Sequence, residues 1–354
     1  MKTLDRGCVV LDQPQQASNS RRIGAIAAPC GWSSTQPRSF FKQALRSRNP
    51  TKKRPLLARH IVVLVFWFGC VVAIRPAQVV AAALNTNDWA FLDNGHIHIG
   101  VKKTSGACIG YLSLTGSNRN LLNHHDQGRF IQQSFYGDAD GTLWNKQPWR
   151  WNPVQGGDWK GNPAKLLSFK SETNSLYARS TGRHWSGCVD LPDVAFEQWI
   201  SLTGRLAHIR YRMTYTGDKA HAIRDHEIPA VFVEPDLDTL VLYDGEKPWT
   251  GGAVSRSRPG WPNESRKFAE QWAAYVDKND FGVGVYVPAA TNLTCYRFGE
   301  GGSAQGACAY FAPLIRFAVT PGLVFDYDVY VVVGTPAEMR GEFHKIHHQR
   351  PHRR

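Results

Sequence analysis

The sequence lacks the signatures of several large protein classes. No glycine-rich phosphate loop with its lysine, no dinucleotide fingerprint and no tandem repeat occurs in the 354 residues, which sets aside nucleotide-binding α/β folds and solenoids. "DADG" (Asp138-Ala139-Asp140-Gly141) begins like a calcium loop, but the spaced ligands and closing glutamate are missing, so it reads as a surface turn. His124-His125 and His347-His348 are adjacent pairs. Neighbours on a strand point apart, so no zinc signature is read, and neither a metal nor another cofactor is expected. Acidic residues are scarce at one end: residues 1–83 carry 13 Lys and Arg against only Asp5 and Asp12, leaving 29 basic and 27 acidic side chains for the rest. Of the net charge of +13, +11 therefore sits in the N-terminal segment and +2 in the rest. With the remainder nearly neutral, no nucleic-acid partner is expected.

Long apolar runs are also rare. Residues 61–74 ("IVVLVFWFGCVVAI") give 14 in a row, short of the ~20 needed to cross the hydrocarbon of a bilayer. Lys52-Lys53-Arg54 and Arg59 precede the run and small residues around Ala81-Ala82-Ala83 follow it. This order predicts a signal peptide over 51–83, cleaved near Ala83, with 1–50 a disordered leader or an over-extended start. The expected product is secreted or periplasmic, has no membrane association after cleavage, and forms one domain over 84–354. Removing the leader takes Cys8, Cys30 and Cys70 with it and leaves Cys108, Cys188, Cys295 and Cys308. An even number in an oxidising compartment permits two disulfides, and Cys295 with Cys308, bracketing a glycine-rich loop, is the expected pair.

From Trp89 onward the hydrophobic pattern has a period of two. Ile97, Ile99 and Val101 share one face against His96, His98, Gly100 and Lys102. Two strands are predicted to turn at Thr203-Gly204, two more near Lys278-Asn279-Asp280, and a late strand sets Phe325, Tyr327, Val329 and Val331 opposite Asp326 and Asp328. Only "TPAEMRGEFHKIHH" carries helix signals, with Thr335 at the cap, Pro336 in the first turn and Glu338 closing a capping box. The fold class that follows is all-β: one large antiparallel β-sandwich with a short C-terminal helix.

Residues 121–163 break the alternation. They hold Trp144, Trp149, Trp151 and Trp159, four of the ten tryptophans outside the leader. Indole faces stack on the C–H faces of sugar rings while amides, arginines and carboxylates bind ring hydroxyls. "WRWNPVQGGDW" supplies both kinds of group. Were residues 130–136 a strand, Gln132, Ser134 and Tyr136 would share a face, with Ile131, Gln133 and Phe135 on the other. In "DHEIPAVF", His226 and Glu227 must point to opposite faces, and Pro229 limits that strand to an edge or an entry position.

"NHHDQGRFIQQSFYGD", together with "PWRWNPVQGGD", "DHEIPAVF", "QWAAYVD", "YFAPL" and "YDVYVVVGT", resembles a group of secreted bacterial proteins. That group is similar, more distantly, to the galactose-mutarotase-like β-sandwiches of sugar epimerases, polysaccharide lyases and glycosidase accessory domains. The resemblance implies that an arginine and a histidine on a concave sheet meet the sugar, and Arg129 and His226 are the matching positions. Three chemistries then compete. Hydrolysis needs two carboxyl groups, for which Asp158 and Glu227 are the candidates. Elimination from a uronate needs a carboxylate neutraliser and a proton acceptor, drawn from Gln132, Arg129, Tyr136 and His226. Epimerisation would pair His226 with a carboxylate.

The expectation is thus a carbohydrate-active protein whose partner is a polysaccharide or oligosaccharide. Its catalytic candidates are His226, Glu227, Asp158 and Tyr136. Its binding candidates are Arg129, Gln132, Gln133, Trp144, Trp149, Trp151 and Trp159, with Trp249, Trp261 and Trp272 extending the cleft. The alternative is a non-catalytic carbohydrate-binding or envelope-associated structural module.

Overall fold

The computed structural model describes residues 87–350. The leader and signal peptide assigned to 1–83 lie outside the described residues. Two layers of antiparallel strands enclose the core. One layer runs, in order of pairing, through Trp89–Asp93, Ile97–Lys102, Cys108–Leu114, Ile131–Ser134, Arg224–Val233, Cys308–Phe317, Asn292–Phe298 and Glu264–Arg266. The other runs through Leu166–Ser171, Ser175–His184, Asp190–Thr203, Leu206–Tyr215, Val324–Gly334, Gly282–Tyr286, Trp272–Val276, Thr239–Leu242 and Ser255–Ser257. The two-residue strand Pro153–Val154 pairs with both Ile131–Ser134 and Ser175–His184 and so joins the layers.

The period-two pattern fixes which side chains meet between the layers. Ile97, Ile99 and Val101 on one strand and Phe196, Ile209, Tyr211, Met213, Val329 and Val331 on the facing ones are all buried in one cluster. Their partners in the alternation form ion-pair ladders on the outer surface, such as Arg210 and Arg212 on Asp326. The turn at Gly204 and the late strand follow the sequence pattern. The helix Pro336–Gln349 starts with both halves of the expected capping box.

That helix explains why Trp272–Val276 and Gly282–Tyr286 are buried on both faces. Met339 and Phe343 cover Trp272, Tyr286 and Val332 in a second cluster. Gly284 lies beneath Met339, where a Cβ would meet its sulfur at 2.7 Å, so any larger residue would require the Met339 side chain to move.

Two sequence expectations need correction here. The non-periodic stretch 121–163 is not structureless: it contains Ile131–Ser134, Pro153–Val154 and a separate hairpin, Ala139–Trp144 with Gln147–Arg150. Asn145 and Lys146 both have positive φ at the hairpin tip, the geometry of a tight two-residue turn, which hides the strands from a pattern search. The expected Cys295–Cys308 disulfide does not form, and all four cysteines of the described residues are free. Register is the reason. Cys295 pairs with Phe311 while Cys308 pairs with Phe298, so the two cysteines are three residues apart along adjoining strands, about 10 Å.

Candidate functional site

Strand Arg224–Val233 lies between Cys308–Phe317 and Ile131–Ser134 and is therefore interior to its layer, not at the edge that Pro229 suggested. The proline is accommodated because the register shifts between Glu227 and Val231, where no ladder hydrogen bond is required of it. Just before this bulge the strand sends His226 into the core and Glu227 to the opposite face.

Glu227 lines a cavity of about 60 Å³ together with Gln132, Ser134, Tyr136, Trp144, Trp149, Trp185 and Tyr310. Tyr310 donates to its carboxylate at 2.6 Å, and Tyr136 and Ser134 also hydrogen-bond it. No cation is among its partners. Burial pushes the Glu227 carboxyl above its ordinary value, against the three hydroxyls that favour the charged form. A shift in this direction favours the protonated, proton-donating form of the carboxyl.

Aromatic rings make both walls. On one side Phe232, Tyr310, Tyr296 and Trp261 form a continuous series with successive centroids 4.8, 4.5 and 5.0 Å apart. Trp261 ends the series with 38% of its surface exposed. On the other side Trp144 and Trp149 meet edge to face at 5.2 Å. These two indoles are the buried underside of the otherwise exposed hairpin. The hairpin is tied down by Asp140 to His184 at 2.6 Å and by Thr142 to Ser186 at 2.6 Å.

Glu227, Tyr136 and Trp149 also line a second, open cavity of about 340 Å³. Its remaining walls include Arg150, Arg224, Asp225, Asn263, Thr294 and Arg316. Asp225 precedes Glu227 by two residues in unbroken register, so both carboxyls face the same side, with Cα atoms roughly 6.5–7 Å apart. A deep aromatic slot thus opens into a polar groove with Glu227 at the junction. The groove has the size of a small-molecule site.

The sequence candidates divide between this site and the scaffold. Glu227, Tyr136, Gln132, Trp144 and Trp149 converge on it. His226 does not: its ring packs on Phe317 at 4.2 Å and Phe135 at 5.2 Å, with Nδ1 accepting from the Tyr136 amide and Nε2 donating to the Phe317 carbonyl. Burial drives its pKa down to about 4, so it is a neutral core residue. Arg129 is 1% exposed and spends its guanidinium on Asn123, Gly306, Ala307 and Asp126, which anchors the 299–307 loop. Gln132 touches the slot but bonds Arg129 O and Gly156 N, and Gln133 faces the other layer, bonding Glu197 O.

Asp158 is fully buried as a loop hub. It pairs with Arg183 at 2.7 Å and accepts from Lys160 N, Asn162 N and Asn162 Nδ2. Trp151 belongs to the core, stacked on His221 at 4.1 Å, and Trp159 lies beside Lys160. Trp249 and Trp272 are not part of the cleft. Both pack beneath the C-terminal helix, Trp249 stacked on His347 at 4.5 Å and Trp272 against Phe343, with the Glu270–Arg340 ion pair beside them.

His124 and His125 also depart from expectation. They lie in a loop, where strand alternation does not apply, and their rings stack at 5.0 Å. With Glu234 they bring ligand-type atoms within 4.8 Å of one another. Asn120 Nδ2 contacts His124 Nδ1 at 2.9 Å and Ser303 contacts His125 Nε2 at 2.7 Å, so each ring already has one nitrogen engaged by the protein.

Sequence reading missed Trp185, Tyr296, Tyr310 and Asp225. Tyr296 and Tyr310 were legible only as ordinary strand residues, because what recruits them is the pairing of Asn292–Phe298 with Cys308–Phe317, a contact between distant segments. Asp225 had a usable signal: its i, i+2 spacing from Glu227.

No protein-family profile matches the chain, and no curated protein matches it. Among solved structures it is similar to a galactose mutarotase-like protein from Lactobacillus casei ATCC 334, at 12% identity and a TM-score of 0.47, over 69% of this chain and 99% of that one. It is similar also to a galactose mutarotase related enzyme from Lactobacillus acidophilus, at 10% identity and a TM-score of 0.47, over 69% and 97%. A third is the 4-alpha-glucanotransferase of Thermococcus litoralis, at 14% identity and a TM-score of 0.40, over 68% of this chain and 37% of that one. None of these similarities carries a residue-level correspondence.

Proposed function

We propose that the protein is an exported carbohydrate-active protein that binds a saccharide in the groove and cleaves a glycosidic bond beside Glu227. The observation that supports this reading best is a single buried carboxyl, held by hydroxyls alone, at the mouth of a slot walled by Trp144, Trp149, Trp185, Tyr296 and Tyr310. Aromatic faces bind sugar rings, and the carboxyl in its protonated form supplies the proton that a departing glycosidic oxygen requires. That step is common to hydrolysis and to elimination. Glu227 gives its proton to the bridging oxygen as the C–O bond breaks, and the leaving sugar departs as a neutral alcohol. In hydrolysis, Asp225 on the same strand face would take a proton from the incoming water, a division between protonated and ionised carboxyl that such reactions use.

One feature favours the alternative of a binding module: no carboxyl other than Glu227 lines the inner slot. Turnover on a panel of neutral and uronic-acid oligosaccharides separates the two, read as new reducing ends and as absorbance of an unsaturated product. Cleavage by wild type, lost in Glu227→Gln with binding retained, is the expected result. Binding without turnover in wild type would leave the module. Absence of binding to every glycan would overturn both.

A further inference from the structure

The groove outside Glu227 has an uneven charge. Three guanidinium groups, Arg150, Arg224 and Arg316, line it against two carboxyls, Asp225 and Glu227. Arg316 is paired with Asp225 at 3.1 Å. Arg224 is only loosely matched: its Nη2 stands 3.6 Å from Asp138, and its Nε is buried without a hydrogen-bond partner. Arg150 lies over the Trp149 ring at 5.6 Å, and no ion pair with a carboxylate among the described residues involves it. Along the same groove Asn263 donates to Thr294 at 3.0 Å while its own Oδ1 is buried and unpartnered. A buried donor and a buried acceptor left unmatched along one cavity, with positive charge in excess, describe the complement of a ligand bearing both an anion and hydroxyl donors.

We propose that this groove selects saccharides carrying an anionic substituent, a carboxylate or a sulfate ester. The anion lies against Arg150 and Arg224, and ring hydroxyls reach Asn263 Oδ1. Arg316 holds Asp225 and is the least available of the three. The inference deepens the saccharide reading above and rests on it. It explains why the outer groove is arginine-rich while the inner slot is aromatic: the anion sets which sugar enters, and the stacked ring sets where the bond lies.

Calorimetric titration with matched oligosaccharides tests it: a uronic-acid form, its carboxyl-reduced neutral counterpart, a sulfated form and its desulfated counterpart. Binding of at least one anionic form should exceed its neutral counterpart by about ten- to hundredfold, the range of a charge-assisted hydrogen bond, and should weaken with added salt because the groove is open to solvent. Which pair shows the difference identifies the anion. Arg150→Gln and Arg224→Gln should reduce that preference, lowering the affinity for the anionic form several-fold more than that for its neutral counterpart. Equal binding of charged and neutral forms by wild type would overturn the inference and leave the saccharide reading standing. Failure of all four to bind would instead overturn the saccharide reading.

Discussion

Replacing His226 should destabilise the protein, not disarm it. The ring connects two backbone groups, accepting from Tyr136 N at 3.1 Å and donating to Phe317 O at 3.1 Å, and it fills space against Phe135 and Phe317. His226→Ala strands both backbone groups in the core, at about 1–3 kcal/mol each, and leaves a cavity. A loss of roughly 4 kcal/mol follows, a large part of a typical domain's stability. The pH dependence gives a second, independent signature. The folded pKa is depressed from 6.5 to about 4, so the stabilisation from keeping this imidazole neutral is complete above 6.5 and is lost as pH falls through 4. The span corresponds to about 3 kcal/mol. Asp126 acts oppositely: burial raises it to about 6, so its contribution is present in acid and is lost as pH rises. The wild-type acid slope is therefore blunted, and the informative quantity is the difference between wild type and His226→Ala. Urea denaturation followed by tryptophan fluorescence should give a gap that is largest at pH 7.5 and shrinks by about 3 kcal/mol at pH 4. A variant as stable as wild type at pH 7.5, yet devoid of saccharide binding or turnover, would refute the scaffold assignment.

Trp149→Ala and Trp185→Ala should weaken saccharide binding at least about tenfold, Trp149→Ala with a loss of stability as well because its indole is buried, whereas Trp151→Ala, which removes a core stack on His221, should destabilise by about 3–5 kcal/mol with no comparable loss of binding by the folded protein. Glycan titration and calorimetry of the three variants check the contrast. Tyr310→Phe removes a hydrogen bond that favours the Glu227 carboxylate, so the pKa rises further; activity dependent on the protonated acid, which falls as pH climbs through that pKa, should persist to higher pH. A pH profile shifted downward would contradict it. Burial pushes the Cys295 and Cys308 thiols up to about 11. They should resist thiol reagents in the native state, and the thermal midpoint should be the same with and without reductant; a fall of several degrees on reduction would reveal a disulfide.

Local rules made much of the fold legible. Alternation placed Ile97, Ile99 and Val101 on the core side, and the capping chemistry at Thr335 and Glu338 marked where the helix starts. The same period-two reasoning separated His226 from Glu227 and grouped Gln132, Ser134 and Tyr136 on one face, and those three do line the slot with Glu227. The failures share one cause. Whether an indole is a wall or a core residue depends on what another part of the chain lays over it. Trp144 and Trp149 face a cavity because a tight hairpin folds them under, while Trp249 and Trp272 are covered by a helix that begins more than sixty residues later. Arg129 and Asp158 carry the residue types of an active site but are consumed by carbonyls and by Arg183. Sequence spacing shows no such consumption.

The most direct test is the crystal structure of Glu227→Gln soaked with the oligosaccharide that wild type binds best. Sugar density is expected along the groove beside Trp149, Tyr136 and Arg150, with a glycosidic oxygen within hydrogen-bond distance of residue 227. Density on the outer sheet around Trp199, or in the hollow beneath the C-terminal helix, with the Trp149 groove empty, would contradict it.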